Sequence, residues 1–483
     1  MEKIAKRGLA FDDVLVIPVL SDVQPQSVST SARLSPGVEL KIPFLSAGMD
    51  TVTESQMAIA LARFGGLGVI HRHMPISSQA TEVDRVKRSE NGVISDPFSL
   101  SPNHYVYEAD KLMGKYRISG VPIVEHDALV GIITNRDLRF VTDYSKKVYE
   151  VMTKDNLVTA PEGTSLEEAK AILTRHKVEK LPLVDEKGNL KGLITIKDIN
   201  KSVKYPLAAK DSQGRLLAGA AVAIMDDYMD RVQALVRRKV DVIVLEFSSG
   251  MAKGVVAAIR QIKGDFPAVT LVAGNVATAE SAAMLVDAGA DCIKVGLGPS
   301  GVSAKRVVAG VGVPQITAIM DAAKAAAPRG IPVIADGGIK GSGDITKAIA
   351  AGASCCMMGN LFAGCAESPG TTELFRGRKC KVYRDAGFWP YDGPALLSDE
   401  AAQEADEPRI ATIARGVEGR ITFKGDLSDV LHQLLGGLAV GMSLAGCASI
   451  REMHEKARFV QVGPALIAEA AEAAEAAGTS ARM

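Results

Sequence analysis

Two glycine-rich segments in the second half of the chain have the composition of an anion-binding site. ADGGIKGSGD (335–344) and MGNLFAG (358–364) each follow an apolar run that predicts a strand. Glycine lets the backbone approach an anion closely, and the N-terminus of a following helix offers free N–H donors at the positive end of its dipole. Asp336, beside Gly337 and Gly338, is placed to accept hydrogen bonds from ribose hydroxyls. The alternative is that Asp336 caps the following helix.

These segments need a scaffold that gathers strand ends, and eight apolar runs predict one. Most runs are separated by helical stretches such as ATAESAAMLVDAGA and ITKAIAAGA, which is the alternation of parallel β/α units. Eight such units predict an α/β fold of the (β/α)8 TIM-barrel type, whose phosphate sites follow the seventh and eighth strands. A doubly wound open sheet is the alternative. The runs are PFLSAGMD, GGLGVIHRH, RLLAGAAVAI, VDVIVLEFSSG, AVTLVAGNVAT, ADCIKVGLGPS, IPVIADGGIK and SCCMMGNLFAG.

An internal repeat interrupts this pattern after the second run. SGVPIVEHDALVGIITNRDL (119–138) and EKLPLVDEKGNLKGLITIKDI (179–199) match at an offset of 60 residues, which rises to 61 after one inserted residue in the turn. Each half reads as strand, turn, strand and a T-x-x-D step into a helix. The pattern resembles the tandem cystathionine-β-synthase (CBS, or Bateman) domain, which implies binding of a nucleotide such as ATP or GTP. Simple helix capping is the alternative for the residues of the T-x-x-D step. These residues are Thr134, Asp137, Thr195 and Asp198.

The repeat divides the chain into predicted domains. Residues 1–91 and 204–483 are predicted to form the barrel, and residues 92–203 the inserted CBS pair, with repeats at about 92–145 and 150–203.

A chain of 483 residues with 47% hydrophobic and 23% charged residues is ordinary for a globular protein. Lys+Arg and Asp+Glu both number 56, so no global field favours nucleic acid or a membrane surface.

Cysteine usage and the chain ends predict a cytoplasmic protein. The six cysteines lie mostly in apolar segments without CxxC pairs, which predicts reduced, packed thiols. The start MEKIAKRGLAFDDV lacks the apolar core of a signal peptide, and no long uninterrupted apolar run predicts a membrane span. The terminal ARM is weakly similar to a peroxisomal tripeptide, but a frayed tail is the favoured interpretation.

A set of longer motifs is spread along almost the whole chain. They are LAFDDVLVIP, MDTVTE (49–54), VKRSENGVISDP (86–97), VAGNVAT (272–278), AGVGVPQITAI (309–319), ADGGI (335–339) and LSDVLHQLLGGLAVGM (427–442). Together these motifs resemble the inosine monophosphate (IMP) dehydrogenase and GMP reductase family. The resemblance implies a purine nucleoside monophosphate as substrate, NAD as cofactor and oxidation of IMP to XMP. It also implies a potassium ion and a homotetramer, with an octamer as the alternative.

The same resemblance assigns roles to residues at matching positions. Asp336 would hold the ribose, and Met49 and Asn275 the wall of the site, with Asn275 and Glu246 on the cofactor side. The phosphate would lie against Gly337, Gly338, Gly359, Asn360 and Tyr383. The potassium ion would be held by the backbone carbonyls of Gly296, Gly298 and Ser303.

The catalytic loop departs from the family pattern. The family reads KVGxGPGSxCTTR, whereas this chain reads KVGLGPSGVSAKR (294–306), with Ser303 at the position of the cysteine that attacks the purine C2 and Lys305 at a threonine position. The cofactor-side acid is lengthened to Glu246, and the Glu or Gln that reads the purine amide becomes Arg415. The flap, at about 386–415, contains no Arg-Tyr pair to activate water.

The serine changes the expected chemistry. A thiol with a pKa near ~8.5 is already a few per cent thiolate at neutral pH, whereas a hydroxyl needs a positioned base. Lys305 and Arg415 add two cations, which predicts a ligand more anionic than IMP. Three interpretations stay open: an NAD-dependent oxidoreductase of the family's usual kind, a barrel enzyme retuned for a more anionic nucleotide, and a non-catalytic CBS nucleotide sensor or partner subunit.

Overall fold

The computed structural model describes residues 3–89, 94, 97–116, 118–247, 252–298, 306, 309–384 and 418–463. Ser303, Lys305, Arg415 and the predicted flap lie outside the described residues. The chain divides into two compact units. The first comprises Met1–Lys87, Leu207–Asp211 and Leu216–Met483, and the second comprises Arg88–Pro206 and Ser212–Arg215.

Eight parallel strands close into a barrel in the first unit, which confirms the predicted (β/α)8 fold and excludes the open sheet. Each strand pairs with the next in chain order, and the eighth pairs with the first. All eight lie in the apolar runs that predicted them. They are β1 Phe44–Ser46, β2 Leu67–Ile70, β3 Gly219–Ala223, β4 Val242–Glu246, β5 Thr270–Val276, β6 Cys292–Val295, β7 Val333–Asp336 and β8 Cys355–Met358.

The barrel strands are short apolar runs because both of their faces are covered. β3, β6 and β8 are buried at every position. Parallel strands that are all followed by helices deliver their last residues to one mouth of the barrel, where binding residues are expected. The polar side chains at these strand ends therefore define the candidate site.

Helices surround the barrel, and their ends follow ordinary capping rules. Thr278 Oγ1 accepts a hydrogen bond from the Ser281 N–H at 3.2 Å, and Gly289, with a φ of 104°, ends the same helix in the left-handed region. The helices of this unit are Ser55–Arg63, Ile76–Ser89, Tyr228–Arg237, Ala252–Asp265, Ala279–Ala288, Gln315–Ala326, Ser342–Ala350, Asn360–Ala363, Leu427–Leu444 and Ile450–Lys456, with 3-10 turns at Phe11–Asp13, Pro25–Ser27 and Ala327–Arg329.

Small antiparallel sheets lie outside the barrel. Val14–Val16 pairs with Phe459–Gln461, and Ala32–Ser35 pairs with Val38–Leu40. A three-stranded sheet brings Tyr383 into the first unit's core. Its strands are Thr372–Phe375, Arg378–Arg384 and Glu418–Thr422.

The second unit contains the two sequence repeats, each with its own hydrophobic core. The turns of the two halves bond to each other: the Leu129 N–H donates to the Gly188 carbonyl at 3.0 Å, and the Leu190 N–H donates to the Asp127 carbonyl at 3.1 Å. The CBS assignment and its boundaries stay predictions. The strands are Gly120–Glu125, Ala128–Thr134, Ala160–Pro161, Lys180–Val184 and Leu190–Thr195, and the helices are Val106–Tyr116, Asn135–Leu138, Val148–Val151, Leu166–His176 and Ile196–Lys204.

One helix in the described part of the chain, Leu427–Leu444, is long and apolar enough to cross a membrane, with a mean hydropathy of 1.2. Leu431 and Leu438 on this helix are buried in the core of the first unit, and Gly437 packs closely against Ser342. A single helix that passes a test of length and composition is weak evidence for a membrane span.

Candidate functional site

Four side chains from consecutive barrel strands form a polar cluster at the carboxyl ends of β4 to β7. Glu246 ends β4, Asn275 lies in β5, Lys294 in β6, and Asp336 ends β7. Lys294 Nζ lies 2.7 Å from Asp336 Oδ2 and 3.6 Å from Glu246 Oε1. Asn275 Nδ2 donates to Asp336 Oδ2 at 2.9 Å. The structure thus brings together three residues that the sequence predicted and one, Lys294, that it did not.

The two carboxylate oxygens of Asp336 differ in their hydrogen-bond partners. Oδ2 accepts the bonds from Lys294 and Asn275, whereas Oδ1 accepts none from the residues that the structure describes. The side chain is 19% exposed, so a ligand can reach it. Asp336 does not cap the next helix, Ser342–Ala350, whose N-cap residue is Gly341. The capping interpretation of Asp336 is therefore wrong, and its role towards a ribose stays a prediction.

Lys294 carries a positive charge in this cluster. Burial by itself lowers the pKa of Lys294, but the negative charges of Asp336 and Glu246 outweigh that effect and raise the pKa above its ordinary value. The ammonium therefore serves two carboxylates at once. In the sequence its signal is a lone cation inside the apolar strand β6, which the apolar pattern alone does not explain.

The residues after β2 extend the cluster. Arg72 Nε lies 3.8 Å from Glu246 Oε2, whereas Lys294 approaches the other oxygen, Oε1. His71 Nδ1 accepts a hydrogen bond from the His73 N–H at 3.1 Å, and His71 Nε2 lies 3.4 Å from Glu54 Oε1. A backbone N–H can only donate, so the proton of neutral His71 resides on Nε2. With both nitrogens engaged, His71 is not positioned as a free general base.

Stability is expected to fall in acid because of His73. Burial, followed by the charge of Arg72, lowers the pKa of His73 from 6.5 to about 4. The unfolded chain binds this proton at higher pH than the folded chain does. The contribution of neutral His73 to the free energy of unfolding is therefore fully present above about pH 6.5, and up to about 3 kcal/mol of it is lost as the pH falls towards 4. Urea titrations of His73→Gln should show a flatter pH dependence in this window. His432 is exposed, so His432→Gln is the control. If the pH dependence of the free energy of unfolding were the same in His73→Gln as in the parent, the prediction would be wrong.

The glycines of the predicted phosphate cradle have the required backbone. Gly337 and Gly338 have φ angles of 95° and 79°, in the left-handed region that favours glycine. A Cβ at Gly359 would lie 2.9 Å from Met49 Sδ and 3.1 Å from Tyr383 Oη, so the predicted wall and phosphate residues meet at this glycine. Asn360 follows as the first residue of the short helix Asn360–Ala363.

The loop after β6 supplies two of the three carbonyls predicted for potassium. Gly296 and Gly298 have φ angles of 151° and 79°. The Gly296 carbonyl accepts a hydrogen bond from Asn275 Nδ2 at 2.9 Å, which leaves its second lone pair for an ion. Backbone oxygens are suitable ligands for a hard cation, so the donors present fit the group. The carbonyl of Ser303, the third predicted ligand, lies outside the described residues.

The first T-x-x-D step forms a helix cap. Asp137 Oδ2 accepts from the Thr134 N–H at 2.7 Å and from Thr134 Oγ1 at 2.6 Å, and Asp137 Oδ1 accepts from Thr153 Oγ1 at 3.0 Å. This is the capping alternative left open by the sequence. In the second half, Thr195 ends a strand and Asp198 lies in the helix Ile196–Lys204, and the side chain of Asp198 is not described.

The six cysteines of the chain are buried thiols. All six cysteines are free and buried, as predicted. Burial raises the pKa of Cys355 and of Cys365 to about 12, which disfavours a thiolate. In the described ranges no three His, Cys, Asp or Glu side chains come together in a group that could hold a metal ion.

Comparison with known proteins identifies the family. Residues 8–472 match the model of the IMP dehydrogenase / GMP reductase domain. The chain is 54% identical to inosine-5'-monophosphate dehydrogenase of Halalkalibacterium halodurans (95% of this chain, 94% of the relative) and 55% identical to that of Staphylococcus epidermidis (97% and 96%). A crystal structure of a cysteine-to-alanine variant of Trypanosoma brucei GMP reductase with guanosine 5'-monophosphate is similar, with a TM-score of 0.86, 38% identity and coverage of 97% and 98%. The barrel, the strand-end cluster and these matches together show that the chain belongs to the IMP dehydrogenase / GMP reductase family, a family of NAD-dependent oxidoreductases.

Proposed function

We propose that this chain binds a purine nucleoside monophosphate at the barrel mouth and uses NAD to oxidise it, with IMP oxidation impaired by the serine at position 303. The observation that carries the proposal is Asp336: two donors hold one oxygen, and the other accepts no bond from the described residues. A carboxylate prepared in this way fits the paired hydroxyls of a ribose. It ends β7, directly before two glycines in the left-handed region.

Each residue in the site has a proposed task. Asp336 accepts hydrogen bonds from the ribose, and Gly337, Gly338 and Gly359 let the backbone approach the phosphate beside Tyr383. Glu246, which ends β4 with Lys294 at 3.6 Å and Arg72 at 3.8 Å, is proposed to accept hydrogen bonds from the cofactor ribose. When bound, the nicotinamide supplies the hydride acceptor. Met49, 7% exposed, forms an apolar wall that excludes water from the base.

Further family features are proposed for this chain with their own tests. Gly296 and Gly298 would hold potassium, and the chain would assemble as a homotetramer, with an octamer as the alternative. Light scattering measures the assembly, and exchange of potassium for sodium tests the ion.

ATP or GTP would bind the CBS pair, and equilibrium dialysis of the full chain measures that binding. We also propose that the protein functions in the cytoplasm.

The serine sets the expected rate. Family chemistry begins with attack of a cysteine sulfur on the purine C2, and the serine at position 303 is expected to be a weaker nucleophile, because a hydroxyl needs a positioned base to be activated. Incubation with IMP and NAD, and separately with GMP and NADPH, followed by absorbance at 340 nm, tests turnover. We expect slow or no turnover in the parent and a gain with Ser303→Cys combined with Lys305→Thr. Full turnover by the parent would contradict the impairment, and no nucleotide binding at all would contradict the proposal.

A second candidate function follows from the two added cations. Lys305 and Arg415 stand where the family has a threonine and an acid or amide, which favours a base that is more anionic than hypoxanthine. Isothermal titration should then rank XMP, whose base is acidic, above IMP and GMP. Arg415→Gln should remove that preference, and equal affinities in the parent would exclude this candidate.

A further inference from the structure

Lys294 is a buried cation in a strand that otherwise serves packing. Its side chain is 4% exposed, and its neighbours Cys292, Ile293 and Val295 are fully buried. Burying an ammonium is unfavourable unless it is well paired, and an apolar residue would serve a purely structural strand at least as well. A lysine at this position therefore indicates a task at the barrel mouth.

The neighbouring strands make room for this side chain and provide its partners. The register of β5 and β6 pairs Gly274 with Lys294, and a Cβ at Gly274 would lie 2.6 Å from Lys294 Cβ. The ammonium is 2.7 Å from Asp336 Oδ2 and 3.6 Å from Glu246 Oε1, so the bond to Asp336 is the direct one. Asn275 donates to the same Oδ2.

We propose that Lys294 is a positioning residue that, with Asn275, holds Asp336 so that its Oδ1 is oriented towards the ribose hydroxyls of the nucleotide. The inference rests on the proposed function, because it requires a nucleotide ribose at Asp336. Two donors on one oxygen restrict rotation of the carboxylate, so less conformational freedom is lost when the hydroxyls bind to the other oxygen. Lys294 acts through Asp336 and needs no contact with the nucleotide.

The experiment compares a ribonucleotide with an analogue that lacks the hydroxyls. Titration calorimetry on the full chain, without cofactor, measures the affinities of IMP and of 2',3'-dideoxy-IMP. We expect the parent to bind IMP about 100-fold more tightly than the dideoxy analogue, because hydrogen bonds to a charged acceptor are the strong ones. In Lys294→Met this ratio should drop to below about 10, with the affinity for the dideoxy analogue unchanged within about threefold.

A charge-balanced variant protects the test against loss of folding. Lys294→Met removes the ammonium beside Asp336 and makes the cluster one unit more negative. Lys294→Met combined with Glu246→Gln removes one positive and one negative charge, so it keeps the net charge of the parent. The double variant should show the same reduced ratio. Lys263→Met is the control, because Lys263 Nζ also pairs with an aspartate, at 2.8 Å, but that residue, Asp291, precedes the amino end of β6 and lies outside the cluster. Its ratio should equal that of the parent.

The outcomes separate this inference from the proposed function. A parent ratio that persists in the folded Lys294→Met or double variant overturns the positioning role. An equal loss of affinity for both nucleotides also overturns it, because a merely structural lysine would weaken the whole pocket without changing discrimination. If the parent bound neither nucleotide, the proposed function would be wrong. If the parent bound both with equal affinity, the ribose hydroxyls would not contact Asp336. Either result also overturns the inference, because the inference requires a ribose at Asp336.

Discussion

Replacement of Asp336 by alanine is expected to weaken binding of IMP or GMP by about 10²- to 10⁴-fold. Two hydrogen bonds from ribose hydroxyls to a charged acceptor are each worth about 1.5–3 kcal/mol, and every 1.4 kcal/mol is about tenfold in affinity. The change also leaves the ammonium of Lys294 without its partner at 2.7 Å, so the folded state must be verified by its melting temperature. Titration calorimetry on the full chain gives the affinity.

The control for this substitution is an aspartate outside the site. Asp287 lies on a barrel helix, is 58% exposed and pairs with Arg329. Asp287→Ala should bind nucleotide as the parent does. If folded Asp336→Ala bound IMP and GMP with unchanged affinity, the nucleotide ribose would have to lie elsewhere, and the proposed function would lose its main support.

Replacement of Lys87 by methionine is expected to destabilise the first unit by about 3–5 kcal/mol, because removal of one partner leaves buried charges uncompensated. Lys87 Nζ lies 2.9 Å from Asp211 Oδ2, 2.7 Å from Asp241 Oδ2 and 2.9 Å from the Leu216 carbonyl, and its side chain is 4% exposed. Lys87 is the last residue before the second unit, and Asp211 belongs to the returning segment. The lysine thus ties together the two ends at which the insertion leaves the barrel unit.

The sign of the pH dependence gives a second readout of the same variant. Burial raises the pKa of Asp241 even with Lys87 beside it, and loss of the lysine should raise that pKa further. Protonation of Asp241 then removes the unpaired charge, so the deficit of Lys87→Met should be largest at neutral pH and shrink in acid. Denaturant titrations at several pH values measure it. The exposed pair of Lys340 and Asp12 is the control: Lys340→Met should change stability by less than about 1 kcal/mol, and an equally small effect at Lys87 would contradict the prediction.

The barrel could be predicted because its signal is local. Runs such as VDVIVLEFSSG and AVTLVAGNVAT become β4 and β5, since a strand covered on both faces must be apolar throughout. Gly337 and Gly338 could also be predicted to form part of the site, because a left-handed backbone after a strand favours a residue without a Cβ.

The strand-end cluster was only partly predictable. Asp336 and Asn275 were recognised from their motifs, but Lys294 lies 42 residues from its partner Asp336. A short segment of sequence does not determine which strands become neighbours in the barrel. The T-x-x-D step shows the same limit: its residues suit both a nucleotide and a helix cap, and the bonds of Asp137 with Thr134 and Thr153 show the cap.

The sequence by itself determined the family, the eight-stranded barrel and the types of side chain at the barrel mouth, because apolar runs and motif residues are local features of the sequence. Only the tertiary structure decided that Lys294 neutralises Asp336 and lies near Glu246, and that one oxygen of Asp336 accepts no hydrogen bond from the part of the chain that the structure describes. The physical reason is that electrostatic pairing in a buried site depends on distances of a few ångströms between strands, and those distances exist only once the barrel has closed.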